Sequence, residues 1–461
     1  RVVAIDFTGE GRQQLVSLLE RESTVTEHPD SDGAWPGSDV MWHPRLAGEQ
    51  PAFGAGRPVS GLPPSAHRIA AAHYGERAGL LVQHSIWQEI TFFELHVQRD
   101  GTGFAAPWRR RVEAANPPMT FSDQGWPCPC DWNGNGVLDL LIGGGYGWPR
   151  IVHNKGTNEQ PVYAEPELIR SEGRPIRLLR DDILPPTRHW HNMGYPYPSF
   201  VDWDGDGLPD LMLPNETNRI FWYRNVGTRQ QPVFGPRQQL VVDGYEDDDH
   251  RRAATGERAL DKELPNHPYP FDETSPFFWR TGACFADFTG NGSMDLVTHD
   301  EHRKLTLFCQ VDGRPGGDGT TPRLRKERRL LLVDGRAIDD SIVGRQKHWT
   351  ESFRAVDWNG DGRLDLIYNT AGSGHIYLLA NVGSPTDPVF APPRQFKLYG
   401  QPFTPFTVHG PNAWPADLNG DGHPDLISCV EWSVYPFFAH AALEMDRHPS
   451  WVLGRATGAS S

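Results

Sequence analysis

The stretch "SFVDWDGDGLPDLMLPN", residues 199–215, sets four carboxylates, Asp202, Asp204, Asp206 and Asp210, within nine residues. Two chemistries suit so dense a set of oxygens. Paired carboxylates serve glycosidases as general acid and as base or nucleophile. Oxygens at loop positions 1, 3, 5 and 9, with glycines permitting the tight turn between them, instead suit a hard cation that takes 6–8 oxygen ligands. The backbone carbonyl of Leu208, at the seventh position, would complete such a set.

Recurrence separates the two. The pattern returns in "CDWNGNGVLDLLIGG" with Asp131, Asn133, Asn135 and Asp139, and in "ADFTGNGSMDLVTHD" with Asp287, Thr289, Asn291 and Asp295. It returns again in "VDWNGDGRLDLIYNT" with Asp357, Asn359, Asp361 and Asp365, and in "ADLNGDGHPDLISCV" with Asp417, Asn419, Asp421 and Asp425. An active site needs one constellation, so five equivalent copies favour several structural calcium ions. Without the metal, each loop would hold close carboxylates that repel one another. The Asp287 loop has the fewest charges and is expected to bind most weakly. "IDFTGEGRQQLVSLL" from Ile5 is a sixth copy that ends in Gln14 in place of the last acid, and "AHYGERAGLLVQH" around His73 is a seventh that has lost nearly all of them.

These units start 58 to 85 residues apart. Each contains a short apolar run, the glycine loop, a second and a third apolar run, and a turn followed by Pro and an aromatic, as in "HNKGTNEQPVY", "RNVGTRQQPVF" and "ANVGSPTDPVF". Four short strands in each of seven units predict an all-β fold: one seven-bladed β-propeller over residues 1–461, whose radial closure protects sheet edges. The 48 Gly and 41 Pro agree with many tight turns. No apolar run is long enough to insert in a membrane. A net charge of −15 disfavours nucleic acid and anionic membranes as partners. Five cysteines without a C-x-x-C pair argue against a disulfide scaffold or a cysteine zinc site, and Cys128 and Cys130 are expected to be buried strand residues.

The D-x-[DN]-G-[DN]-G-x-x-D-L loops resemble the FG-GAP or VCBS repeats of integrin α-chain propellers and of many secreted bacterial propellers. That resemblance implies an extracellular or periplasmic protein whose signal peptide has been removed, expected as a monomer, with the metal loops on the lower face. Strand alternation then sends the segments that enter each first strand, and those that leave each second strand, to the upper face. These segments carry Trp126, Tyr146, Trp148, His189, His191, Tyr195, Tyr197, Arg219, Arg280, His299, His302, His348, Glu351, His409 and Asn412, which are expected to ring the mouth of a central channel. Aromatic faces beside polar groups suit a polysaccharide or oligosaccharide ligand. Trp279, Trp349 and Trp414 read better as wedges between blades. His189 and His191 share a strand face, a weak zinc signal without a third ligand.

Some secreted propellers of this general type are similar to ulvan and rhamnose-glucuronate lyases, which cleave uronic-acid polysaccharides by β-elimination. That chemistry needs a cation on the C6 carboxylate, a base for the C5 proton and an acid for the leaving oxygen. Arg280, with Arg219 as a second candidate, suits the first role, His191 or His409 the second, and Tyr195 or a second histidine the third. A glycoside hydrolase would draw instead on Glu351, Glu216, Asp300, Glu301 or Glu431. A lectin or adhesion propeller would need only the aromatics, but lectin propellers tend to repeat one sugar site per blade and these upper loops all differ. Residues 243–276, of mixed charge and rich in proline, are expected to form a surface insertion.

Overall fold

The computed structural model describes residues 2–20, 38–63, 66, 68–84, 89–109, 119–120, 125–144, 147–164, 166–178, 194–215, 219–245, 276–278, 282–311, 323–344, 351–370, 374–403, 412–430 and 433–444. Strands dominate it. Among the described residues the only helices are the single turns Asp340–Val343 and His440–Leu443. The chain forms two compact units, one of residues 1–122 with 186–190 and one of residues 123–185 with 191–461. The first two sequence units lie in the former and the other five in the latter.

In the first unit, Val2–Ile5, Gln14–Glu20, Ser38–His43 and Arg57–Ser60 make one antiparallel sheet, and Arg68–Tyr74, Arg77–His84, Glu89–Val97 and Gly103–Arg109 make another. Their outer strands pair in parallel, with Val59 opposite Gly103. Period-2 alternation turns Val16 and Leu18 inward to Val40, Trp42, Leu80, Val82, Phe93 and Leu95, while Leu19 faces solvent. The Asp6 loop keeps its turn, with Gly9 and Gly11 at φ +74° and +72°. Gln14 Nε2 donates to Thr8 Oγ1 at 2.9 Å, so a neutral amide closes it. At His73 the loop has shrunk to a two-residue turn between Tyr74 and Arg77.

Among the described residues the second unit has, beside the short hairpin Lys397–Leu398 with Gln401–Pro402, five sheets in a β-propeller arrangement. Their first strands are Gly125–Cys130, Ser199–Val201, Cys284–Ala286, Glu351–Val356 and Trp414–Ala416. These lie side by side in chain order, and the fifth returns to the first. Each second strand starts on the ninth-position acid of its loop, as in Asp139–Gly144 and Asp210–Pro214, and is covered on both faces, hence its continuous apolar run. Outer edges are stitched by parallel pairs: Ser171 with Phe234, Val241 with Arg323, Leu332 with Phe390. Apolar layers fill the gaps between sheets. Leu141 and Ile151 meet Leu211 and Phe221, Trp203 and Met212 meet Phe285 and Phe308, and Val297 and Leu307 meet Phe353 and Tyr368. The five cysteines are buried and free, and Cys128 and Cys130 are the buried strand residues expected. Of the expected insertion, residues 246–275 lie outside the described residues.

Candidate functional site

The five loops share one geometry. Both glycines of each take positive φ, from +70° to +92°, which only glycine adopts freely. They turn the backbone so that its N–H groups converge on the first acid. Asp131 accepts from Asn135 N at 3.0 Å and Gly136 N at 3.2 Å, Asp287 from Gly290 N at 2.6 Å and Gly292 N at 2.8 Å, and Asp357 from Asp361 N at 3.0 Å and Gly362 N at 2.8 Å. Asp417 repeats this with Gly420 N and Gly422 N, and Asp202 with Gly207 N. The ninth-position acid is buried in every loop. In four of them it accepts the N–H of the loop's second residue: Asp210 from Trp203, Asp295 from Phe288, Asp365 from Trp358 and Asp425 from Leu418.

Each ninth acid but Asp295 also accepts an N–H from a residue 15 or 16 positions on: Asn154, Asn225, Asn381 or His440. The three asparagines belong to the repeated turns after the third strands. Asn225 Oδ1 accepts from Gly227 N and Val233 N at 3.0 and 3.1 Å, and its Nδ2 donates to the Pro209 carbonyl at 3.1 Å. It therefore ties the turn to the acid loop. These asparagines recur in the quoted turns two residues before Gly, a sequence signal of their role that residue type alone did not reveal.

The following sheet also clasps each loop. Arg229 Nη2 donates to the Asp131 carbonyl at 2.7 Å and lies 3.0 Å from its carboxylate, and Gln310 Nε2 donates to the Trp203 carbonyl at 2.8 Å. Trp358 Nε1 donates to Glu444 at 2.8 Å, and a Cβ on Gly290 would stand 2.5 Å from Thr386. A Cβ on Gly420, in the last loop, would stand 3.1 Å from Glu159 of the first sheet, which closes the circle.

Acceptors without donors test whether these loops fit a cation. Among the described residues, the buried Asn133 Oδ1 and Asp202 Oδ1 have no hydrogen-bond partner, and Asp139 Oδ2 has only His153 Nδ1 at 3.5 Å. Asp202, Asp204 and Asp210 each bring one oxygen within 4.8 Å of the others. Burial pushes Asp210 up to about 7, against the Asn225 N–H that lowers it, and the Asp204 charge adds to the rise. Burial likewise raises Asp204, Asp295, Asp365 and Asp425. Arg224 partly offsets the crowding, with Nε 2.6 Å from Asp204 and Nη2 3.1 Å from Asp206. The donor set thus fits a hard cation held by oxygen. In the Asp287 loop the third-position hydroxyl, Thr289 Oγ1, donates to Asp295 at 3.0 Å, which uses up a lone pair a cation would need.

At the other end of the first strands, several expected site residues face each other and not solvent. Trp126, Trp148, Tyr197, Arg219, His299 and Asn412 are all at most 5% exposed. Trp126 stacks on Tyr197 with centroids 4.2 Å apart, Arg177 covers Trp148 at 4.9 Å, and His299 meets Phe353 edge-on at 5.0 Å. An open rim of sugar platforms is therefore not what these six form. The first strands of the five sheets converge, and the side chains at their ends pack against neighbouring sheets. Tyr195 is half-buried, 5.3 Å from Trp126, and His302 is exposed. Tyr195 and Asn412 hold φ of +41° and +42°, strained for residues with a Cβ. Trp414 is half-buried against the core between the first two of these sheets, in keeping with a wedge. Tyr146, His189, His191, Arg280, His348, His409, Trp279 and Trp349 lie outside the described residues, as does the Glu351 side chain.

Two acids available to a hydrolase are tied up. Asp300 accepts from Lys304 N at 2.9 Å and Arg329 Nε at 3.0 Å and lies 3.0 Å from Lys326 Nζ. Burial would raise its pKa, but these partners outweigh burial and hold it below the ordinary carboxylate range. Glu301 pairs with Lys326 at 2.5 Å and accepts from Tyr245 at 3.0 Å.

No curated protein matches the chain. Among solved structures it is similar to a lectin of Agrocybe aegerita described as recognising non-reducing terminal N-acetylglucosamine, at 17% identity and a TM-score of 0.29, with 86% of this chain and 79% of the lectin covered. It is also similar to a protein from Lactobacillus plantarum, at 9% identity and a TM-score of 0.29, with 92% and 96% covered. Residues 346–428, which include the Asp357 and Asp417 loops, match the FG-GAP-like repeat, so the chain carries that repeat within a β-propeller arrangement.

Proposed function

We propose that this chain is a calcium-stabilised, carbohydrate-active propeller that works outside the cytoplasm, its metal loops structural and its ligand site at the opposite ends of the first strands. One observation carries the calcium assignment: buried, unpartnered oxygens of Asn133 and Asp202 in loops whose ninth acid is wholly buried. Calcium supplies charge neutralisation there and no chemistry on the ligand. The acids of the loops hold the hairpins in register.

For the ligand, the proposal is a uronic-acid polysaccharide cleaved by β-elimination. Arg280 would neutralise the C6 carboxylate, His191 or His409 would take the C5 proton, and Tyr195 would protonate the leaving oxygen as the bond to it breaks. The ion pairs that occupy Asp300 and Glu301 support this over hydrolysis by those two acids, and the positive φ at Tyr195 and Asn412 is of a kind found at functional sites of either sort. Incubation with uronic-acid polysaccharides tests it, read by the ultraviolet absorbance of the unsaturated product. New reducing ends without that absorbance would make the protein a hydrolase, and retention without cleavage a lectin. Undiminished activity in both Arg280→Ala and His191→Ala would discard the assigned residues.

A further inference from the structure

The first strands of the second unit also bring together unsatisfied atoms of the opposite polarity. Three residues before each loop's first acid, the five strands carry Cys128, Ser199, Cys284, Arg354 and Trp414; two residues earlier they carry Trp126, Tyr197, Gly282, Ser352 and Asn412. Arg354 is the single charged side chain of these ten. Its guanidinium lies 4.2 Å from the centre of the Trp414 ring, and Nη1 donates to the carbonyls of Phe353 at 2.7 Å and Ala283 at 3.3 Å. Cys128, Cys284 and Tyr197 lie near enough to interact with its charge, and with the contacts to Trp414 and Ala283 this puts Arg354 toward the middle of the ring of first strands.

Arg354 is 3% exposed, and among the described residues it forms no ion pair with any carboxylate. Burial lowers its pKa only to about 10, so it is charged at neutral pH. Burial lifts the neighbouring Cys284 to about 12, so that thiol is protonated and cannot serve as counter-ion. Among the described residues the Arg354 Nε–H has no acceptor. Nor do the Ser352 hydroxyl, on the same face of the same strand, Trp126 Nε1 or Asn412 Nδ2. Four buried donors without an acceptor, one of them cationic, are a large unmet demand for negative charge. The metal loops have the complementary defect, acceptors without donors.

We propose that the axis of this unit binds a small monovalent anion, of halide or formate size, against Arg354 and Ser352. One cation sets the charge, and the near-complete burial of Arg354 and Ser352 favours a small ion over sulfate, phosphate or a sugar acid. The anion accepts the Arg354 Nε–H and the Ser352 hydroxyl and neutralises the centre on which the five sheets converge. It stabilises the fold and takes no part in turnover.

Thermal unfolding of the full chain at fixed ionic strength tests this, with sodium gluconate replaced stepwise by chloride, bromide, formate or sulfate. The expected result is a saturable rise in Tm with a halide or with formate, and none with sulfate; whichever ion acts at lower concentration identifies the occupant. Arg354→Met abolishes the response, and Ser352→Ala raises the half-saturating concentration about tenfold, as loss of one hydrogen bond to a charged partner requires. Bromide-soaked crystals of the unaltered chain should show an anomalous peak in contact with the Arg354 guanidinium. Equal Tm values in gluconate and in every small anion, or a bromide derivative with only water beside Arg354, would overturn the proposal. If Arg354→Met does not fold, Ser352→Ala and the bromide derivative decide.

Discussion

Asp210→Asn should change sign with calcium. In the folded chain Asp210 is wholly buried and its pKa is pushed up to about 7, well above the ordinary carboxylate range. Above neutral pH the metal-free fold must keep this side chain ionised. Keeping it ionised there costs on the order of 4 kcal/mol. Asparagine removes that cost. It keeps one carbonyl oxygen for the Asn225 N–H, but turns an amide NH₂ toward the Trp203 N–H that Asp210 accepts at 3.2 Å, a loss of about 1–3 kcal/mol. In chelator at pH 8 the variant should therefore be about 1–3 kcal/mol more stable than the parent. Calcium at about 1,000 times its dissociation constant adds ~4.1 kcal/mol through a loop that can bind it. Asp210→Asn forgoes this at one loop while the other four respond equally in both proteins. The variant should then be less stable than the parent by about 1–3 kcal/mol. Calorimetry of both proteins in chelator and in calcium reads this as a crossing of their Tm values, each kcal/mol shifting Tm by about 2–4 °C. A variant less stable by the same margin in both conditions would refute the electrostatic reasoning, since only a lost hydrogen bond would remain.

The same carboxyl fixes a pH dependence. Because its folded pKa is raised, Asp210 favours the metal-free fold below its ordinary value, and that advantage disappears as pH rises through about 7. In chelator, the stability of the parent relative to Asp210→Asn should fall by up to ~1.4 kcal/mol per pH unit across that window, measured by urea titration at several pH values. Calcium affinity at this loop should run the other way and weaken as pH drops below about 7, seen by calorimetric titration. Arg224→Met removes the cation that occupies Asp204 and Asp206, and calcium should bind about tenfold more tightly there by the same titration; unchanged affinity would mean that Arg224 swings clear when the metal enters. Asn225→Ala deletes three side-chain hydrogen bonds from a buried turn and should cost about 2–4 kcal/mol in urea unfolding, whereas a cost under about 0.5 would show that the turn stands without it.

The loops were legible in the sequence because their requirements are local. A left-handed turn demands glycine at two fixed places, and the ninth acid must begin the next strand, so each copy announces itself within about ten residues. The departures at Gln14 and around His73 were legible for the same reason, and the structure gives their cause in an internally satisfied amide and a shortened hairpin. What lay beyond the sequence was non-local. Seven similar units predict seven similar sheets but not which of them close on one another, and two of them pack into a unit of their own. Trp126, Tyr197 and Asn412 were read by type as groups lining an open mouth. Whether such side chains meet solvent or each other depends on how many strands converge on the axis and how closely, which no window of sequence records. Arg354 was missed for that reason, as an ordinary arginine in an apolar strand whose partners come from four other sheets.

Calcium stoichiometry tests most directly the claim that the acid loops are metal clasps and not catalytic groups. The full chain, stripped with chelator and dialysed against calcium at pH 8, should take up five ions, four tightly and the one at the Asp287 loop most weakly, with Tm rising as they bind. Uptake of no calcium, or of a single ion with no change in Tm, would contradict it.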